Sequence, residues 1–165
     1  MGIRIAVIVA LGVVFVAGCS GGGIKSGDIE ASESNERWEL RLRIPGEVRA
    51  REMTAVELSL KNVSDGTLRA HADCIAWFDV IVLNENGEQV FDWRDYVIET
   101  EYKGVHPQCP ALIEEMAPGE TLDQSVSFLV NEPSEYTLSP LPPTEAVGST
   151  SVPIDLSMSV QVRAE

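Results

Sequence analysis

The chain has few of the residues from which metal centres and catalytic sites are built. Its 165 residues include three cysteines and two histidines, and only 6% are aromatic. A serine triad needs a free histidine, but each histidine here stands three residues before a cysteine, and there is no Gly-x-Ser-x-Gly motif. We therefore predict that the protein is not an enzyme and that it has no cofactor.

Positive charge is scarce as well. Twelve Lys and Arg residues stand against twenty-six Asp and Glu residues, so the formal net charge is −14. A surface of this sign repels phosphates, and the sequence has no basic stripe. We expect no nucleic-acid partner.

The longest uncharged apolar run lies at the N-terminus, from Ile5 to Ala17, directly after Arg4. As a helix it would rise only about 20 Å, which is short for a hydrocarbon layer of roughly 30 Å. A basic start followed by a short apolar run is typical of a signal peptide. We assign the signal peptide to residues 1–18.

The run ends in Val16-Ala17-Gly18-Cys19, which resembles the lipobox of bacterial lipoproteins. The resemblance implies that Cys19 becomes the first mature residue and carries diacylglycerol and a further acyl chain such as palmitate. Each buried methylene would add about 0.8 kcal/mol to membrane binding. We expect a domain that is lipid-anchored to the bacterial cell membrane or outer membrane and faces the extracytoplasmic side. Residues 19–36 are rich in Gly, Ser and acidic residues, which predicts a flexible linker.

From residue 37 to residue 165 the pattern is that of short strands. Apolar and polar residues alternate over Trp38–Ile44, Val56–Leu60 and Ile154–Val162, as in strands with one buried face. Asn86-Gly87 indicates a hairpin turn, and three prolines in Ser139–Ser151 indicate an exposed loop. No stretch favours a helix of three turns. Seven or eight strands in one domain predict an all-β, antiparallel, immunoglobulin-like β-sandwich.

Four segments resemble the BsuPI-type domain, an immunoglobulin-like family named after a bacterial intracellular proteinase inhibitor. They are "VELSLKNVSDGTLRA", "WFDVIVLNENGEQVFDW", "EEMAPGETLDQSVSFLV" and "YTLSPL", which together cover Val56 to Leu141. The resemblance implies the same fold, and proteinase inhibition as an alternative function. An extended loop over Glu99–Pro110 would then occupy a protease cleft. The lipobox and the stretch around Cys109 depart from the family pattern, so the implied fold is better founded than the implied inhibition.

If Cys19 carries lipid, Cys74 and Cys109 form an even pair in an oxidising compartment, which favours a disulfide. A second interpretation is a metal site. His71 and His106 precede the two cysteines at the same spacing, and two nitrogens with two thiolates would suit tetrahedral zinc or copper. Residues three apart in a strand face opposite sides, so both motifs would have to lie in turns.

The aromatic side chains cluster around the predicted central hairpin. Trp77 and Phe78 are adjacent there, so one of them faces away from the other, and Trp93 follows the hairpin. An exposed aromatic side chain here would form a contact surface. We predict a lipid-anchored domain without catalytic activity that binds or scaffolds another envelope or extracellular protein.

Overall fold

The computed structural model describes residues 28–44 and 46–165. The predicted signal peptide and Cys19 lie outside these residues. The described chain forms twelve strands and one helix: β1 (Ile29–Ser34), β2 (Trp38–Ile44), β3 (Thr54–Asn62), β4 (Leu68–Ala72), β5 (Asp79–Leu83), β6 (Gln89–Asp92), α1 (Trp93–Glu101), β7 (Leu112–Met116), β8 (Thr121–Phe128), β9 (Glu135–Leu141), β10 (Thr144–Val147), β11 (Thr150–Pro153) and β12 (Val160–Arg163). Within the described residues, no helix has the length and apolar character needed to cross a membrane.

Two antiparallel sheets form the sandwich. One has the order β1-β2-β3-β8 and the other β12-β9-β5-β6. In an immunoglobulin-like sandwich, strands A, B and E neighbour one another in one sheet and strands G, F and C in the other. Strands β2, β3 and β8 take the first set of places, and β12, β9 and β5 take the second. The predicted all-β sandwich is confirmed, with more and shorter strands than the seven or eight expected.

The core follows from the period-two pattern. In β2 the apolar side chains Trp38, Leu40, Leu42 and Ile44 are buried, while the intervening Glu39, Arg41 and Arg43 face outward. The same alternation runs through β3, and these side chains share one core with Phe78, which directly precedes β5, and with Phe128 of β8. Burial of large apolar side chains on both inner faces supplies the main favourable term in folding.

A third sheet, of order β11-β10-β4-β7, joins the sandwich. It is tied to β2 by a buried carboxylate, because Trp38 Nε1 donates to Glu145 Oε2 at 2.9 Å and Arg37 Nη2 lies 2.5 Å from Glu145 Oε1. The sequence predicts an exposed loop over Ser139–Ser151. This segment instead completes β9 and forms most of the β10–β11 hairpin, whose turn contains Gly148 at φ 63°.

Two sequence-based boundaries differ from the structure. Strand β1 lies inside the segment predicted to be a flexible linker, where it pairs with β2 over six residues. Its half-buried Ile29 and Ala31 pack against the core, which explains why this polar stretch is ordered. The closing strand is shorter than predicted. Side chains still alternate in burial from Ile154 to Val162, but only Val160–Arg163 forms a ladder, with β9.

The sandwich has two distinct ends. At the N-terminal end, β1 begins and β2 ends, since Ile29 pairs with Ile44. Strand β12 also ends here, where Glu165 N donates to Val48 O at 3.1 Å. Strand β9 also starts at this end, a short connection after β8 finishes. Strand β5 runs antiparallel to β9 and pairs Asp79 with Leu141, so β5 begins at the opposite end, here called the far end.

Candidate contact surface

Residues 93–111, between β6 and β7, form an insert made of α1 and a loop. Two carboxylates fix where α1 begins. Asp92 is the N-cap, and its Oδ1 accepts from the backbone N–H of Asp95 at 3.0 Å. Asp79 Oδ1 accepts from the backbone N–H of Arg94 at 3.1 Å. Both bonds satisfy donors that an open helix start leaves unpaired.

The end of α1 corrects the predicted extended loop over Glu99–Pro110. The backbone N–H groups of Tyr102 and Gly104 both donate to Ile98 O, at 3.2 and 2.9 Å. Lys103 and Gly104 have φ of 54° and 76°, the left-handed conformation that stops a helix. Glu99–Glu101 is therefore helical, and only the following residues up to Pro110 lack regular structure.

The predicted disulfide is present. Cys74 and Cys109 are bonded, with their Cα atoms 5.7 Å apart, so the loop of the insert is tied to the segment that leads into β5. Bonded sulfurs cannot serve as the two thiolates that the metal interpretation requires. His106 is exposed in the loop, and His71 contacts hydroxyl groups. In the part of the chain that the structure describes, no group of three or more His, Cys, Asp or Glu side chains could hold a metal ion.

The aromatic prediction is wrong for Phe78, which is 1% exposed and belongs to the core. Trp77 and Trp93 are half-buried and pack against the same core. The ring of Trp93 stacks on Tyr96 with centroids 5.9 Å apart, and Phe91 lies 5.6 Å from Tyr96 on a tilted ring. These rings fix α1 to the β5–β6 hairpin, so their main role is packing.

The exposed apolar side chains of this region lie in the insert and on the strand that follows it. Val105 is 69% exposed, Ile113 51% and Tyr102 37%. The sequence places Tyr102 and Val105 only within the loop predicted for proteinase inhibition, and it does not single out Ile113. A usable signal was present, since Val105 stands between Gly104 and Pro107, where a buried strand or helix is disfavoured.

A charge network built on the buried Asp79 holds the insert in place. Arg94 Nη2 lies 2.9 Å from Asp73 Oδ2, and its Nε lies 3.7 Å from Asp79 Oδ2. Asp79 also accepts from Val80 N at 2.7 Å. Burial raises the pKa of Asp79 above its ordinary value, and the negative charge of Asp92 adds to the rise.

The raised pKa of Asp79 predicts a pH-dependent effect of Asp79→Asn. The folded protein binds this proton more tightly than the unfolded chain, so ionised Asp79 costs stability at pH values above its folded pKa. The amide oxygen of the introduced asparagine can still accept from the two N–H groups. We expect the variant to be more stable than wild type at neutral pH, and the difference to shrink as the pH falls towards about 4, the ordinary value for Asp.

Urea unfolding between pH 4 and pH 7 measures this difference. The control is Asp155→Asn. Asp155 is exposed, so this substitution removes one negative charge from the surface and none from the interior. A lower stability of Asp79→Asn than of wild type at neutral pH would contradict the assignment.

The concave outer face of the β1-β2-β3-β8 sheet is a second surface, lined by alternating charges. Arg43 lies 2.8 Å from Asp28 and 2.9 Å from Glu57, and Arg41 lies 3.0 Å from Glu39. Its arginines are already engaged by carboxylates of the same face. This arrangement suits a solvated sheet surface better than a ligand site.

Comparisons with known proteins give remote likenesses only. No family model matches the chain, and no curated protein matches it. The chain is similar to the CARDB domain of a Pyrococcus furiosus protein in complex with di-metal ions, with a TM-score of 0.44 and 13% identity over 80% of this chain and 97% of that one.

Two further solved structures show likeness of the same order. A β-glucosidase from Listeria innocua matches with a TM-score of 0.44 and 14% identity, over 81% of this chain but only 16% of the enzyme. The putative ApaA protein from Bordetella pertussis matches with a TM-score of 0.40 and 11% identity, over 84% of this chain and 90% of that one. At these values the fold assignment rests on the strand order described above, and the BsuPI-type resemblance stays a prediction.

Proposed function

We propose that this protein is a lipid-anchored, extracytoplasmic β-sandwich that binds or scaffolds another envelope or extracellular protein and does not catalyse a reaction. The observation that carries the proposal is the exposure of Val105, Ile113 and Tyr102 on and beside an insert that is held by a disulfide. Large apolar side chains cost free energy when they are left in water. Their exposure on and beside a fixed segment makes them candidates for a contact surface.

The insert is fixed at several points before any partner arrives. The Cys74–Cys109 disulfide holds its loop, the Arg94–Asp73 ion pair holds its helix, and the hydrogen bonds to Ile98 O stop the helix at Tyr102. A segment that is already ordered loses less conformational entropy on binding. This supports a binding role for the insert.

The position of the insert also supports the proposal. The segment that carries Cys74 leads into β5 at the far end of the sandwich, whereas β1 begins at the N-terminal end. Lipid on Cys19 would connect to β1 through nine residues, which can span at most about 30 Å. The N-terminal end would then face the membrane and the insert would face away from it.

Capture of envelope proteins by the purified full-length protein tests the contact surface. We expect a partner to be retained by wild type and its binding to fall roughly tenfold or more with Val105→Asp and Ile113→Asp. Met53→Asp is the matched control, since Met53 is also exposed and lies beside the start of β3 at the N-terminal end. Equal capture by all variants would show that the surface is elsewhere, and no specific capture would contradict a binding function.

The anchor is tested separately. We expect Cys19 of the membrane-extracted protein to carry acyl mass, and Cys19→Ala to move the protein from the membrane fraction to the soluble fraction. An unmodified Cys19 in the membrane fraction would contradict the anchor and leave the binding test unaffected.

A BsuPI-type proteinase inhibitor is the second candidate. The residues from Val105 to Pro110 are irregular, mostly exposed and held at Cys109, which is compatible with an inhibitory loop. Such a protein would slow an extracellular serine protease at near-stoichiometric ratio and stay intact. Rapid cleavage within this segment would exclude that function.

A further inference from the structure

The outer face of the third sheet carries Ile113 of the proposed contact surface, opposite His71 in the β4–β7 register. Beside Ile113 it carries a polar group that the proposed function does not use. In β4, Leu68, Ala70 and Ala72 are buried, so Arg69 and His71 face outward. The register pairs His71 with Thr144 and pairs Ala146 with Ser151. We call Arg69, His71, Thr144, Ala146 and Ser151 the β4–β10–β11 face.

The hydrogen bonds around His71 determine what each group offers a ligand. Thr144 Oγ1 donates to the backbone O of His71 at 2.9 Å, so its proton is in use and its oxygen can only accept from the ring. His71 Nδ1 lies 3.2 Å from Thr144 Oγ1 and 3.0 Å from Ser151 Oγ. With the proton on Nδ1, the ring donates to both oxygens. The hydroxyl proton of Ser151 is then available for another acceptor.

Among the described arginines that form ion pairs, Arg69 makes the weakest pairing. Its one protein contact is the 3.5 Å distance from Nε to Glu115 Oε1, between two exposed side chains. Arg43 and Arg94, by contrast, each approach a carboxylate to 2.9 Å or less through a terminal nitrogen. Among the described residues, the terminal nitrogens of Arg69 have no partner.

Ala146 has the smallest side chain of this face. β4 and β10 pair through His71–Thr144 and Ala70–Glu145, so Arg69 and Ala146 are the next residues of the two strands, and Ser151 pairs with Ala146 from β11. The guanidinium and hydroxyl donors therefore lie on the same face on either side of Ala146, and Ser151 Oγ contacts the His71 ring. Arginine binds anions with several oxygens through its planar fork of N–H groups.

We propose that the β4–β10–β11 face binds a tetrahedral oxyanion, the phosphate or sulfate group of a ligand, above Ala146. Arg69 supplies the charge and two terminal nitrogens, and Ser151 donates its hydroxyl. His71 fixes the Ser151 oxygen through Nδ1. The strongly negative chain repels anions at long range, so the affinity must come from these short contacts.

A titration of the full-length protein with sodium phosphate, and separately with sodium sulfate, tests the site at constant ionic strength. The chain has two histidines, so the ring signals of His71 and His106 can be followed by NMR, and His106 reports any unspecific effect. We expect a saturable shift of the His71 signals with at least one anion. Saturation by only one of them would identify the ligand as a phosphate or a sulfate compound.

Substitutions then assign the contacts. We expect Arg69→Gln to weaken binding by roughly tenfold or more, the cost of losing a charged hydrogen bond, and Ser151→Ala to weaken it by a smaller factor. Arg49→Gln is the control, because Arg49 is also exposed and also pairs at long distance, 3.4 Å from Glu47, away from this face. The proposal is overturned if neither anion gives a saturable shift, or if Arg49→Gln weakens binding as much as Arg69→Gln.

Discussion

Replacing Cys74 and Cys109 together with alanine is expected to lower the free energy of unfolding by about 3–4 kcal/mol. The disulfide joins residues 35 apart in the sequence, so it restricts a long loop of the unfolded chain. Small domains have net stabilities of about 5–15 kcal/mol, which makes this one of the largest single contributions. Urea unfolding of the wild type and of the double variant measures it.

Loss of the disulfide should also loosen the insert itself, in addition to lowering the stability of the whole domain. Without the disulfide, the loop of residues 102–111 loses its attachment at Cys109, and we expect backbone amides of residues 93–111 to exchange with solvent much faster than those of β2 and β3. Wild type treated with reductant is the matched control and should behave like the double variant. A loss of stability below about 1 kcal/mol, with unchanged exchange in the insert, would show that packing alone holds this segment.

Asn62→Ala is expected to cost about 3 kcal/mol or more of folding free energy. Asn62 is fully buried at the end of β3, and its Nδ2 donates to Gly66 O at 2.7 Å and Met116 O at 2.8 Å. Its Oδ1 accepts from the backbone N–H and the hydroxyl of Ser64, at 2.9 and 2.8 Å. Alanine would remove the buried donor to Met116 O and would release the turn that leads from β3 into the third sheet.

Thermal or urea unfolding of Asn62→Ala measures this cost, with Asn131→Ala as the matched control. Asn131 is exposed, and the bond it receives from Arg51 goes to its backbone oxygen, which alanine keeps. The control should change stability by less than about 0.5 kcal/mol. Similar effects of both substitutions would mean that the Asn62 hydrogen bonds contribute little beyond a surface turn.

The strands with clear alternation could be predicted from sequence because their burial is decided locally. Strand β2 has an apolar residue at every second position, so only one register buries all four of its apolar side chains. The β5–β6 hairpin is predictable for a similar reason, since Gly87 adopts the positive φ that the turn needs. The Asn86-Gly87 pair nevertheless lies in a longer loop, in which the side chain of Asn84 accepts from the backbone N–H groups of Asn86 and Glu88.

Helix α1 could not be predicted because tertiary contacts determine it. Only Val97 and Ile98 are buried in its nine residues, which is too few to give a helical apolar stripe. Its start depends on a hydrogen bond to Asp79, which lies in β5, outside the helix sequence. The sequence alone does not show that this aspartate meets the helix.

The β10–β11 hairpin and the β4–β10–β11 face could not be predicted because both depend on how strands pair. Proline is expected to disfavour a ladder, but Pro140 of β9 pairs with Val80 of β5. It lies beyond Leu138, the last residue of β9 that pairs with β12 on the other side. His71 and Ser151 are 80 residues apart, and only the pairing of β4, β10 and β11 brings them together. Neither residue has a local motif that would indicate the contact.

The pairing of β1 with β2 determines how the domain would respond to force. A lipid at one end and a partner on the insert at the other would pull β1 along its own axis, starting at Asp28. The hydrogen bonds of an antiparallel pair lie perpendicular to the strands, so this pull acts on all six residue pairs of β1 at once, in shear. Strands loaded in shear separate only when many bonds fail together, whereas a pull at right angles would open them one by one. In this geometry a short, polar edge strand is a mechanically resistant junction between the tether and the fold.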